Sequence, residues 1–154
     1  MSAVQKVIES APSHLTWREK IAFLVRHFGS ETQVDCPLKH HFAPGVYIRE
    51  IFMPAGAIVL GKIHRTEHFN IVQQGRLLIF SEEGAHEIKA PCTFVSKPGV
   101  QKVLYIAEDT VWSTVHLTEE HDLEKLEAAL IEPDESYPSL DRTLERLAIE
   151  KAAA

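Results

Sequence analysis

The stretch Gly61-Lys62-Ile63-His64-Arg65-Thr66-Glu67-His68-Phe69-Asn70-Ile71-Val72-Gln73-Gln74-Gly75 decides how this chain is read. It is rich in strand formers and closed by glycine at both ends. In an extended strand successive side chains point to opposite faces, so His64, Thr66 and His68 share one face with Lys62 and Asn70. Ile63, Phe69 and Ile71 share the other. A polar face of this kind can be the solvated side of an antiparallel sheet. Two histidines flanking a threonine point instead to a pocket.

Working outward, residues 34 to 116 consist of short runs of Val, Ile, Phe and Tyr, punctuated by Pro44-Gly45, Pro54-Ala55-Gly56, Gly61, Gly75, Gly84, Pro91 and Pro98-Gly99. This pattern predicts eight antiparallel strands: Val46 to Met53, Ile58 to His64, His68 to Gln73, Arg76 to Ser81, Ala85 to Ile88, Thr93 to Val95, Gln101 to Ala107 and Thr110 to His116. Strands this short and numerous predict a sandwich or a jelly roll, because closure or double layering removes exposed edges.

Helical spacing flanks the strands on both sides. Thr16-Trp17-Arg18-Glu19 has the form of a capping box, and Ile21, Leu24, Val25 and Phe28 recur on one helical face. Gly29 is expected as the left-handed terminator. Beyond His116, Thr118 is the expected N-cap of a helix carrying Leu123, Leu126 and Leu130. An acidic link bounded by Pro133 and Pro138 leads to a last expected helix from Ser139, with Leu140, Leu144 and Leu147 on one side. The expectation is a mainly-β chain in three parts: an N-terminal helical extension over 1–33, a β-barrel over 34–118 and C-terminal helices over 119–154.

The chain has 154 residues, 45% of them hydrophobic, enough for a single core. The net charge is −6, the pI is near 5.8, and no Lys/Arg cluster stands out, which argues against duplex nucleic acid as a partner. No apolar run approaches the roughly 20 residues of a membrane span, and the first residues lack the apolar stretch of a secretory signal, so a cytoplasmic protein is expected. Cys36 and Cys92, two in number and far apart, predict free thiols.

The order of strands and turns over residues 45 to 116 resembles the cupin family. That family's first motif is a glycine, an HxH pair, a glutamate and a closing glycine, and its second is Pro-x-Gly followed by a histidine. With Gly75 as the closing glycine, Lys62 and His64 take the HxH positions and His68 the glutamate position. In Lys97-Pro98-Gly99-Val100-Gln101-Lys102, Lys102 stands where the second motif has histidine. Pro54-Ala55-Gly56, Ala90-Pro91 and Pro98-Gly99 match the family's turns. The resemblance implies a cupin-like barrel, while lysines at two metal-ligand positions separate this chain from the family's usual metal set. The string from Cys36 to Glu120 is also similar to small cupin-like proteins encoded by bacteriophages.

Three chemistries are open to these residues. His64 and His68, joined by His116 from the last strand, offer three imidazoles for zinc, iron, manganese or nickel, with Lys62 and Lys102 placing ammonium groups nearby. The letters His64-Arg65-Thr66-Glu67-His68 also match H-x-x-E-H, a motif that requires a helix, which the flanking strands exclude. His64-Arg65-Thr66 and His116-Leu117-Thr118 are both H-x-T and resemble the two-histidine phosphoesterase signature, with His64 and His116 as acid and base and Thr66 and Thr118 holding phosphate. The third chemistry is binding alone, in a cationic pocket where Trp112, Tyr47 or Tyr105 stacks on a base.

The expectation is a pocket for a small anion, phosphate-bearing or nucleotide-like, with His64, His116, Thr66 and Thr118 as catalytic residues and Lys62, His68, Lys102 and Trp112 binding the ligand. No residue is assigned to a metal, no cofactor is expected, and a divalent metal is the alternative. A homodimer is expected. His40 and His41 are read as surface residues, and Arg49 and Glu50 as exposed strand charge.

Overall fold

A computed structural model describes residues 2–133 and the backbone of 148–150. The N-terminal region forms two helices, α1 (Ala3–Ser10) and α2 (Trp17–Phe28). Both halves of the predicted capping box are present at α2: the Glu19 amide donates to Thr16 Oγ1 and the Thr16 amide to Glu19 Oε2. Helix α1, absent from the sequence reading, is capped by the Ser2 hydroxyl, which accepts from the Gln5 amide. Gly29 is not the left-handed terminator expected, since it keeps helical dihedrals. It is glycine because a Cβ there would sit 2.5 Å from the Val25 carbonyl oxygen.

The strands are β1 (Gln33–Val34), β2 (Leu38–Ala43), β3 (Val46–Met53), β4 (Ala57–Leu60), β5 (Ile63–His64), β6 (His68–Ser81), β7 (Gly84–Lys89), β8 (Cys92–Ser96) and β9 (Val103–Leu117). Helix α3 (Leu123–Leu130), β10 (Ile131–Glu132) and β11 (Ala148–Glu150) complete the described chain. The architecture is mainly β, an antiparallel jelly roll with β9 at its centre. One edge of β9 pairs with β3 and β4, the other with β6, and β6 in turn carries β8 on its first half and β7 on its second.

Two pairs of predicted strands are single long ones. Residues 68–73 and 76–81 join through Gly75, where the chain takes φ +99 and the register with β9 shifts. The bulge lets the strand continue and changes its parity, so that His68, Asn70 and Val72 before it and Leu77 and Ile79 after it are all buried. Residues 103–117 likewise run as one strand through Glu108 and Asp109. The predicted strand 58–64 is divided into β4 and β5.

Helix α3 is capped by Asp122, whose side chain accepts from the Lys125 amide, rather than by Thr118. The helix expected from Ser139, with Leu140, Leu144 and Leu147, lies outside the described residues. At 148–150 the chain is strand β11, inserted between β1 and β4, where it supplies backbone partners along the edge of β4.

Two apolar cores hold the fold. Ile21, Leu24, Val25 and Phe28 of α2 pack with Val4 and Val7 of α1 on Ile58, Leu60, Phe80 and Val103. Met53, Val59, Val72, Leu77, Ile106 and Trp112 fill the barrel. Each large side chain fully buried in this way contributes about 1.5–3 kcal/mol.

Candidate functional site

The strand registers line up three rows across the inner face of the barrel. The first is apolar, with Cys92, Val72, Trp112, Ile51 and Leu38 in line; the next is Phe94, Asn70, Thr114, Arg49 and His40. In the third, Ser96 pairs with His68, and His116 with Tyr47 and then Phe42. The inner face therefore grades from hydrocarbon to imidazole over two residue pairs.

His68 and His116 belong to this sheet, but His64 does not. It comes from β5, which among the described residues pairs with β10, Ile131 opposite His64. The chain turns at Arg65 to Glu67, and this bend brings His64 back over the row. The ring centroids of His64 and His68 lie 4.2 Å apart, those of His64 and His116 5.4 Å, and those of His68 and His116 5.0 Å. The ligand nitrogens that the three offer all lie within 4.8 Å of one another.

Burial sets the protonation of the cluster. It pushes His64 down to about 2, helped by the neighbouring His68, His116, Arg49 and Lys102, and His116 down to about 4, helped by His68 and Arg49. His68 is lowered by burial too, an effect partly opposed by its hydrogen bond to the Thr66 carbonyl. Because a carbonyl only accepts, His68 Nδ1 carries the proton and donates it at 3.0 Å, leaving Nε2 as a lone pair. Nδ1 of His64 and Nδ1 of His116 are buried and have no hydrogen-bond partner. His116 Nε2 is 3.1 Å from Thr114 Oγ1.

Over the cluster lies a pocket of about 250 Å³, lined by His64, His116, Tyr47, Arg49 and Lys62 and roofed by Leu126, Glu127 and Leu130 of α3. Lys62 Nζ donates to Glu127 Oε1 at 2.6 Å, joining floor to roof. The Tyr47 ring stacks on His116 on one side and on His40 on the other, and its hydroxyl is 2.8 Å from His40 Nδ1. Arg49, half-buried, is thus part of the site rather than exposed strand charge, while His40 is an exposed residue, as expected, at the pocket's edge. The parity of β3, with Tyr47, Arg49 and Ile51 on one face, was the signal for Arg49.

The other expected site residues fall elsewhere. Thr66 is exposed and contributes its carbonyl, not its side chain. Thr118 holds a turn, its hydroxyl accepting from the Glu120 amide. Trp112 is core, edge-on to Phe94, with its indole N–H donating to Asn70 Oδ1 at 3.0 Å. Tyr105 packs beside the helices. Lys102 does turn inward, its Nζ donating to Ser96 Oγ above the rings of Phe94 and Trp112. Burial pushes the Cys36 thiol up to about 11, so it offers no ready thiolate.

No protein-family model matches the chain. No curated protein sequence matches it. Among solved structures it is similar to the Clostridium difficile EutQ protein, with 12% identity and a TM-score of 0.48 over 61% of this chain and 75% of that one. It is similar to the Schizosaccharomyces pombe Cnp3 cupin domain, with 17% identity and a TM-score of 0.47 over 67% and 73%. It is also similar to a cupin domain from Bordetella pertussis, with 15% identity and a TM-score of 0.45 over 56% and 97%. Among the described residues no helix is long and apolar enough to cross a membrane.

Proposed function

We propose that His64, His68 and His116 hold one divalent transition-metal ion, and that Arg49 and Lys62 draw a small anionic ligand to it. The observation that carries this reading is the convergence of three neutral imidazoles, two of them with a buried Nδ1 that nothing in the protein satisfies. A buried nitrogen lone pair without a donor is costly. Coordination removes that cost at both positions. The hydrogen bond from His68 to the Thr66 carbonyl fixes its tautomer and orients the ring, as outer partners of ligating histidines do. For His116 to ligate through Nδ1, Nε2 must carry the proton and donate to Thr114 Oγ1.

Three nitrogen donors favour zinc, iron or nickel over the oxygen-seeking magnesium and calcium. Such an ion, when bound, supplies Lewis-acid polarisation or an activated water. The residues of the pocket do the rest: Arg49 and Lys62 place the anion, and Leu126 and Leu130 keep bulk water away. The phosphodiester reading needs one protonated imidazole to act as general acid, and burial works against that for both His64 and His116. Sequestration of an anion without turnover uses the same pocket, and product analysis of recovered ligand separates it from catalysis.

The test is metal content in untagged protein purified without chelator. Near one ion per chain, lost in His64→Gln, supports the reading, and an empty site after loading with zinc, iron, manganese and nickel in turn overturns it. The homodimer belongs to the same proposal and is tested by light scattering. The outward row of Ile48, Val115, Phe69 and Val95, with Phe69 55% exposed, is the face it would use.

A further inference from the structure

We propose that Lys102 is a nucleophilic amine that captures a small aldehyde or ketone as an imine, in the cavity between the 97–101 turn and the β6–β7 hairpin. This cavity, about 1,070 Å³, is distinct from the histidine pocket. The β5–β10 ribbon lies between the two: His64 and Ile131 line the histidine pocket, while Ile63 and Glu132 line the other.

The surroundings of Nζ are those of a reactive lysine. Its polar contact is the Ser96 hydroxyl, and the Phe94 and Trp112 rings stand 5.3 and 6.0 Å from it. Among the described residues no carboxylate lies within ion-pair range of it. Lys62 differs in this respect, since its Nζ lies 2.6 Å from the Glu127 carboxylate. A desolvated ammonium without a counter-charge is disfavoured, and burial pushes Lys102 down to about 8. Desolvation of this kind is how lysines become nucleophiles.

The amine is also positioned. Trp112 Nε1 donates to Asn70 Oδ1, and Asn70 Nδ2 donates to Ser96 Oγ at 2.8 Å, which fixes the oxygen that receives the Lys102 N–H. A neutral amine pinned through one N–H keeps its lone pair for the cavity. That pair forms the C–N bond while the carbonyl π pair moves to oxygen, which takes up a proton to give a carbinolamine. Loss of the nitrogen proton and of hydroxide, joined as one water, leaves the C=N bond. Nothing is oxidised or reduced. The Phe94 ring, which lines the cavity beside Lys102, suits a carbonyl compound with an apolar or aromatic body.

The experiment treats full-length, chelator-stripped protein with benzaldehyde and cyanoborohydride at pH 7, followed by peptide mapping. Removing metal first keeps this result separate from the metal reading. Lowering an amine from 10.5 to about 8 enlarges its neutral fraction at pH 7 a few-hundred-fold, and at least about tenfold faster labelling of Lys102 than of exposed Lys39 is expected. Lys102→Met should lose the fast adduct. Ser96→Ala, which keeps the amine and loses its anchor, should label Lys102 more slowly, with circular dichroism confirming that both variants fold. Labelling of Lys102 no faster than of Lys39, or a fast adduct that persists in Lys102→Met, overturns the proposal, and an unchanged rate in Ser96→Ala overturns the positioning role of Ser96.

Discussion

The imidazoles of His64 and His116 stack 5.4 Å apart and within 8° of parallel, yet one sits on a two-residue strand and the other near the end of a fifteen-residue strand. No pairing in the sheet joins these strands. Their contact is made by the bend at Arg65 to Glu67, held where the Arg65 amide donates to the Leu130 carbonyl and the Gly99 amide to the His64 carbonyl. Two neutral rings with unsatisfied nitrogens are thereby brought face to face in a buried site.

Metal binding should therefore stabilise the protein measurably. At a free zinc concentration one hundred times the dissociation constant, the expected gain is about 2.7 kcal/mol. Thermal unfolding with and without zinc checks this. His116→Gln, which removes one of the two orphaned nitrogens, should weaken zinc by at least about 100-fold and abolish the thermal shift, whereas an undiminished shift in that variant would count against His116 as a ligand.

The same imidazoles predict acid sensitivity in the metal-free protein. Their folded values, about 2 and about 4, lie below the ordinary 6.5, so as pH falls through 6.5 the unfolded chain takes up protons that the folded chain refuses. Stability is flat above that point and declines below it, by up to about 1.4 kcal/mol per pH unit for each group. Denaturant midpoints at pH 7.5, 6 and 5 measure the slope, and His64→Gln should reduce it.

Gly75→Ala should destabilise by about 1–3 kcal/mol. The residue has φ +99, and a Cβ would sit 2.5 Å from the Asp109 carbonyl oxygen. Because this bulge sets the parity of β6, disturbing it should also loosen the inward row of His68, Asn70 and Val72. Urea unfolding together with zinc affinity reads both effects, and a variant as stable as the parent would show the bulge to be dispensable.

Trp112→Phe keeps the ring in the core but removes the donor to Asn70 Oδ1, leaving a buried acceptor unsatisfied at a cost of about 1–3 kcal/mol. If Trp112 served the histidine pocket, zinc affinity would fall as well. The expected outcome is lower stability with zinc affinity preserved, measured by unfolding and by titration.

Much of this architecture was legible in the residues themselves. The Thr16–Glu19 capping box, the apolar face of α2, the span of β3 and the glycine and proline turns follow from dihedral preference, hydrogen-bonding chemistry and period, which act over a few residues. His64, His68 and His116 stood out for the same reason, as polar groups in otherwise apolar strands. Local pattern, however, put His64, Thr66 and His68 on one shared face. It also placed Thr118 as a helix cap, Arg49 on the surface and Trp112 in the pocket.

Tertiary structure decided each of those points. Whether Arg49 faces water or imidazole depends on which face of β3 the barrel encloses. Whether Lys102 is solvated or buried depends on Ser96, Phe94 and Trp112, which reach it from other strands. Alternating polar and apolar residues in β-rich segments already implied that histidines would line a mainly-β barrel. Only the folded barrel, by excluding water and bending the chain after His64, decided how closely the three histidines named above meet and that they meet uncharged, because desolvation belongs to the assembled interior and not to any one segment.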